Sequence, residues 1–238
     1  MDKNNQSETD NIKREEDKVD NPDKENVEDH TNRNMIIVLG LIFLIMIAVF
    51  SIRFFSSEDS IPTIDELHDL NIEGKEGENN YLYNGFSFVF ANGLWYTQIQ
   101  GGNRLYNIPL HYGPRDLEDV EIIGDLSSFA GIKETYITFD PTEENLGYVA
   151  LANGELSTDL VKIFNTQLTA TCTVNDTPAC EGVPVITCNN TDESVIFLRQ
   201  SDEASVELID NCVIISGRDE GLVKATNRFL YHLFSIMP

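Results

Sequence analysis

The sequence predicts an α+β domain carried behind one membrane-spanning helix and an unstructured N-terminal tail. Three observations predict it. One continuous apolar run of eighteen residues carries no charge, "MIIVLGLIFLIMIAVFSI" from Met35 to Ile52. Beyond residue 80, short runs alternate aromatic and polar residues and are broken by Asn-Gly and Gly-Gly-Asn, the pattern of an antiparallel meander. Further on, strand-like runs are mixed unevenly with two stretches of helical apolar spacing, which indicates α+β rather than a regular α/β repeat.

Residues 1–34 contain no aromatic and almost no aliphatic side chain. Such a segment cannot bury enough apolar surface to offset the entropy of ordering it, so a disordered tail is expected. The uncharged run follows, and Phe54 and Phe55 extend it past Arg53. About 20 helical residues cross the roughly 30 Å hydrocarbon core, so residues 35–55 are expected to span a bilayer. A cleaved signal peptide would have a shorter apolar region behind a brief basic stretch. The long acidic segment ahead of the run and the poor cleavage site "AVFSIRFF" favour an uncleaved signal anchor.

Orientation follows the basic residues nearest the span. Lys18, Lys24 and Arg33 precede it, whereas Arg53 alone stands close behind it and the next base is Lys75. The N-terminus is therefore expected in the cytoplasm of a plasma-membrane protein, with the C-terminal part outside.

Residues 56–80 read as a polar tether in which "TIDELHDL" forms a helical turn or two, with Thr63 as N-cap and Glu66 completing a capping box. The domain is expected over 81–238. Its meander should comprise strands near 85–91, 94–100 and 104–111, and "RDLEDVEIIGDLSSFAG" holds a short helix. Next come a strand at "KETYITFD", a helix from about 143 to 164 whose middle is weakened by Gly154, and strands at "LTATCTV", "SVIFLRQ", "SVELID" and "CVIISG". A final helix shows Leu222, Val223, Thr226, Phe229, Leu230 and Leu233 on one face.

The net charge is −24, from 40 Asp and Glu against 16 Lys and Arg. Residues 1–34 hold eleven of those acids and six of those bases, so the acidity belongs mainly to the rest of the chain. A surface this negative repels phosphate backbones, and nucleic acid is excluded as a partner. The expected partners are the lipid bilayer, through residues 35–55, and other envelope proteins or glycans.

Three of the four cysteines, Cys172, Cys180 and Cys188, stand eight apart, and the fourth is Cys212. Zinc ligands are usually two to four residues apart in pairs, so metal ligation fits poorly. In an oxidising compartment four cysteines suggest two disulfides, with buried free thiols as the alternative. Preference for near neighbours favours Cys172 with Cys180 and Cys188 with Cys212. Sequons at Asn175 and Asn189 lie in the same region and are candidate glycosylation sites on an external surface.

No phosphate-binding loop, nucleophile elbow or H-E-x-x-H metal motif occurs, and no cofactor is expected. The densest polar constellation is His111, Arg115, Asp116, Glu118 and Asp119, a candidate ligand rim after the meander. The simpler reading is a Gly-Pro turn with Arg115 or Asp116 capping a short helix. Trp95 and Tyr96 are a candidate aromatic platform, or one packed and one outward ring. A membrane-anchored hydrolase would draw its carboxylates from 111–121 or from Asp140. The absence of a catalytic signature favours a non-enzymatic binding or structural module.

The phrases "YNGFSFVFANGLWYTQIQ", "IPLHYGPRDLEDV", "YITFDP" and "NCVIISGRDEGLVKATNRFLYHLFSIM" resemble those of uncharacterised single-pass membrane proteins of small-genome archaea. The resemblance covers roughly residues 81–238 and implies an archaeal envelope protein without an assigned activity. More loosely, "VELIDNCVIISGRDEGLVKATNRFLYHLF" is similar to a strand and helix module in accessory domains of glycoside hydrolases and in surface-layer proteins, where it is a non-catalytic scaffold.

Overall fold

The computed structural model describes residues 25–55, 62–126 and 133–238. The chain divides into two units, residues 1–61 and 62–238.

In the first unit a single helix, α1, runs from Glu25 to Phe55. The helix begins ten residues ahead of the expected span, and residues 1–24 of the expected tail lie outside the described residues. The reason is cooperative: once the apolar run is helical, extending it by a few residues costs little. The stretch Asn32–Ile52 is long and apolar enough to cross a membrane.

The second unit opens with α2, Ile64–Ile72. Its capping box is formed as expected: the Thr63 amide donates to Glu66 Oε2 at 2.7 Å and the Glu66 amide to Thr63 Oγ1 at 3.3 Å. Thr63→Ala should cost about 1 kcal/mol, measurable as a lowered urea midpoint. The expected tether over 56–80 is corrected from Pro62 onward, because α2 packs on the neighbouring strands. Buried Asn71 donates to the carbonyls of Tyr81 at 3.2 Å and Phe88 at 2.9 Å. An amide side chain aimed inward from a short amphipathic helix gave no apolar signal in the sequence.

Four antiparallel strands make the first sheet in the order β1-β2-β3-β4: Asn80–Tyr83, Phe86–Ala91, Leu94–Gly101 and Arg104–Leu110. The meander has one strand more than the three expected. The missed turn is Asn84-Gly85, whose φ angles of 48° and 85° match those of Asn92-Gly93, 53° and 82°. Both dipeptides use residues that tolerate the left-handed region, and both close two-residue hairpins.

A 3-10 turn at Pro114–Asp116 leads to β5, Glu121–Ile123, a short strand absent from the sequence reading. Then follow β6 (Glu134–Phe139), α3 (Leu146–Phe164), β7 (Gln167–Cys172), β8 (Ser194–Arg199), β9 (Ser205–Ile209), β10 (Cys212–Ser216) and α4 (Glu220–Leu233). Helix α3 starts later than expected because Asp140 Oδ1 accepts from the Thr142 amide at 2.9 Å and its hydroxyl at 2.7 Å, holding that stretch in a turn. The second sheet has the order β5-β9-β10-β8-β6-β7 and is parallel except for the β9–β10 hairpin. Long-range parallel pairing of this kind leaves no mark in local sequence pattern.

Helices α3 and α4 cover one face of this sheet, and the first sheet joins them to one core. Leu156 and Leu160 of α3, Leu222 and Phe229 of α4, Ile196 and Ile215 of the second sheet, and Phe88 and Ile108 of the first are all buried in it. The other face of the second sheet is covered differently. Parallel strands normally need a layer on both faces, and here the segment 173–193 supplies part of one. The Thr138 hydroxyl donates to the Ile186 carbonyl at 2.8 Å, and the Ile186 amide to the Cys172 carbonyl at 3.0 Å.

Candidate functional site: a disulfide-walled cleft

Segment 173–193 is polar and carries little that could hold it down by burial alone. Covalent ties do so instead. Cys172, at the end of β7, is bonded to Cys180, and Cys188 to Cys212 at the start of β10, with Cα separations of 6.2 and 5.5 Å. This is the pairing that neighbour separation favours.

Between the tied segment and the sheet lies a cleft of about 540 Å³ lined by Asp140, Thr173, Thr187, Asn189, Phe197, Asp210, Asn211 and Ile214, among others. Its size is ordinary for a small-molecule or short-oligomer site. Phe197 and Ile214 sit side by side on β8 and β10, half-buried, and offer an apolar platform. The rim is polar. Asp140 is fixed by the Thr142 turn described above, and Asn211 donates to the Thr191 carbonyl at 3.1 Å. Among the described residues, no Lys, Arg or His lines the cleft. Carboxylate and amide oxygens above an aromatic face accept hydrogen bonds from hydroxyl groups, while the ring takes apolar C–H surface. The arrangement suits a neutral polyhydroxylated ligand and repels an anionic one.

The candidate glycosylation residues Asn175 and Asn189 are both exposed, and Asn189 stands on the cleft rim. The proposed ligand rim after the meander is not one site. His111 turns to α3, where its Nδ1 lies 2.5 Å from Glu155 Oε1. The Arg115 guanidinium sits 3.8 Å over the Tyr81 ring. Asp116 accepts from the Gly113 amide at 3.2 Å and so caps the 3-10 turn. Glu118 lies beside Tyr83, whose hydroxyl pKa is raised by burial first and by the Glu118 charge second. Asp119 faces a separate depression with Glu121, Glu203 and Lys224. Trp95 packs edge-on to Tyr81 with centroids 5.0 Å apart, and at 5.1 Å from Phe90.

His111 instead leads to a buried polar knot that the sequence reading missed. Glu155 Oε2 accepts from Asn227 of α4 in a short contact, and the Tyr112 amide donates to Asn227 Oδ1 at 3.0 Å. Tyr231 of α4 donates its hydroxyl to the Tyr112 carbonyl at 2.8 Å. One turn along α3, Asp159 is 1% exposed, and its Oδ2 has no hydrogen-bond partner among the described residues. Burial above all, with the neighbouring charge of Glu155, pushes its pKa up to about 7, and Lys162 opposes them. The signal was present in the sequence: Asp159 falls between Leu156 and Leu160, inside the apolar stripe of α3.

No protein-family model, curated protein or solved structure matches the chain.

Proposed function

We propose that this chain is a single-pass plasma-membrane protein whose N-terminal residues face the cytoplasm and whose 62–238 domain stands outside and binds an envelope glycan in the disulfide-walled cleft. The observation that carries this reading is the cleft's composition, an aromatic and aliphatic floor beneath oxygen-rich side chains with no cation among the described residues. Two further features support the topology. Both cysteine pairs are bonded, a state that persists in oxidising compartments, and the bases nearest the span favour an N-terminal cytoplasmic side.

The test uses the full chain in nanodiscs against immobilised neutral and acidic oligosaccharides. Retention of a neutral glycan, and its weakening at least tenfold by Phe197→Ala with the thermal midpoint nearly kept, is the expected result. Failure to retain any neutral saccharide would overturn the glycan reading.

Hydrolysis of the bound polymer is the second reading. One observation favours it: Asp140 and Asp210 both line the cleft, and glycosidic cleavage employs a pair of carboxylates. Release of reducing ends by the wild type, abolished in Asp140→Asn and Asp210→Asn, would select hydrolysis over simple binding.

A further inference from the structure

The second sheet ends at β7, and the outer edge of that strand is only half covered. Inward bonding alternates along it: the Gln167 amide reaches the Lys133 carbonyl at 2.7 Å and the Thr173 amide the Phe139 carbonyl at 3.0 Å. The main-chain groups of Leu168, Ala170 and Cys172 therefore face away from β6. Cys172 is taken up by segment 183–186, its amide donating to the Pro184 carbonyl at 3.3 Å. Leu168 and Ala170 lie short of that segment, at an edge that no other strand joins among the described residues.

Natural proteins guard such an edge with charge, proline, a bulge or a covering element. Segment 183–186 covers only the Cys172 end, and among the described residues none of these devices protects residues 168–170. Residues 163–175, "IFNTQLTATCTVN", carry no charge in a chain whose net charge is −24. The opposite edge, β5, is only three residues long and bears Glu121.

The flank of this edge is apolar as well. A cavity of about 260 Å³ lined by Phe139, Leu146, Ala150 and Ala170 opens between α3 and β7. Next to it, the outward side of α3 presents Gly147, Ala150, Leu151, Gly154, Thr158 and Val161, all exposed and uncharged, with Lys162 the charge at its C-terminal end. A Cβ on Gly147 or Gly154 would meet nothing within 4 Å. Each glycine costs about 1 kcal/mol of helix propensity, and packing within the chain does not require it.

We propose that β7 pairs antiparallel with β7 of a second copy of this chain, across a two-fold axis at Thr169, with the two α3 helices packed beside each other on the same face. Leu168 then exchanges main-chain hydrogen bonds with Ala170 of the other copy, and Thr169 faces Thr169. Charge identifies the occupant. A basic partner would gain most against the acidic surface elsewhere, whereas a partner that selects the uncharged strip is one that must keep its own acids apart. A second copy meets that condition, and a strand paired with itself in antiparallel fashion is self-complementary, as a closed two-fold interface requires.

This proposal is independent of the glycan reading. Its test is the mass of the full chain in detergent, by light scattering with the detergent contribution subtracted. The wild type should have the mass of two chains. Thr169→Lys, which sets two cations against each other at the axis, should weaken dimerisation at least tenfold with an unchanged circular dichroism melt. Ala170→Pro should do the same, because the amide it removes faces away from β6. Thr169→Cys should form an intermolecular disulfide, since a facing non-hydrogen-bonded pair has its Cα atoms about 4.5 Å apart, within the range a disulfide spans. A monomeric wild type, or a dimer untouched by Thr169→Lys and unlinked by Thr169→Cys, would overturn it.

Discussion

Asp159→Asn should stabilise the folded domain by about 1–3 kcal/mol at about pH 8 and bring no gain at about pH 4. The carboxyl is buried on the inner side of α3, 1% exposed, and burial first and Glu155 second raise its pKa from 3.8 to about 7. A raised carboxyl pKa means that the native state holds the proton more tightly than the unfolded chain does. Stability is therefore full below the unfolded value near pH 3.8, declines as pH rises through about 7, and is flat above. Roughly three pH units at about 1.4 kcal/mol each set a ceiling of about 4 kcal/mol on the decline. The amide of Asn keeps the shape and cannot ionise, but its N–H groups also enter a site poor in partners, at a cost of about 1–3 kcal/mol that reduces the net gain. Glu155 remains held by His111 and Asn227 in the variant. Urea unfolding of wild type and variant across this pH range measures the effect, and equal pH slopes for the two proteins would refute the assignment.

What could be read beforehand was local, and what could not was long-range. The capping box of Thr63 and Glu66, the hairpin at Asn92-Gly93 and the amphipathic α4 are each written in residues a few positions apart, and each forms as expected. The extra hairpin at Asn84-Gly85 was equally local, but its first strand is only four residues, too short to show alternation. The cleft is a different matter. Asp140, Asn189, Phe197 and Asp210 meet because β8 inserts between β6 and β10, and no spacing along the chain encodes that neighbourhood. The run His111 to Asp119 misled for the opposite reason: adjacent in sequence, its side chains diverge because a strand end and a 3-10 turn send them to α3, Tyr81, Tyr83 and solvent. The α3 stripe shows where burial could have been used better, since a carboxylate between Leu156 and Leu160 is a buried acid by periodicity alone.

Replacing Cys188 and Cys212 together by Ala should have the larger consequence for both stability and binding. That bond closes a separation of 24 residues, against 8 for Cys172–Cys180, and the entropy of closing an unfolded loop grows with its length. The expected losses are about 3.5 kcal/mol for the long loop and about 2.6 kcal/mol for the short one. The two bonds also differ in what they position. Cys172–Cys180 folds the start of the segment back on β7, where the Pro184 and Ile186 main-chain bonds to Cys172 already hold it. Cys188–Cys212 joins the far part of the segment to β10, and both of its cysteines line the cleft beside Asn189 and Asn211. Without that bond the wall over Phe197 rests on the Asn211 side-chain bond to the Thr191 carbonyl and a short one to Glu193. Glycan retention should accordingly fall at least tenfold in the Cys188 and Cys212 double variant at temperatures where circular dichroism shows it folded, and little in the Cys172 and Cys180 double variant. Equal retention by the two variants would separate the disulfide from the cleft and leave it a purely stabilising bond.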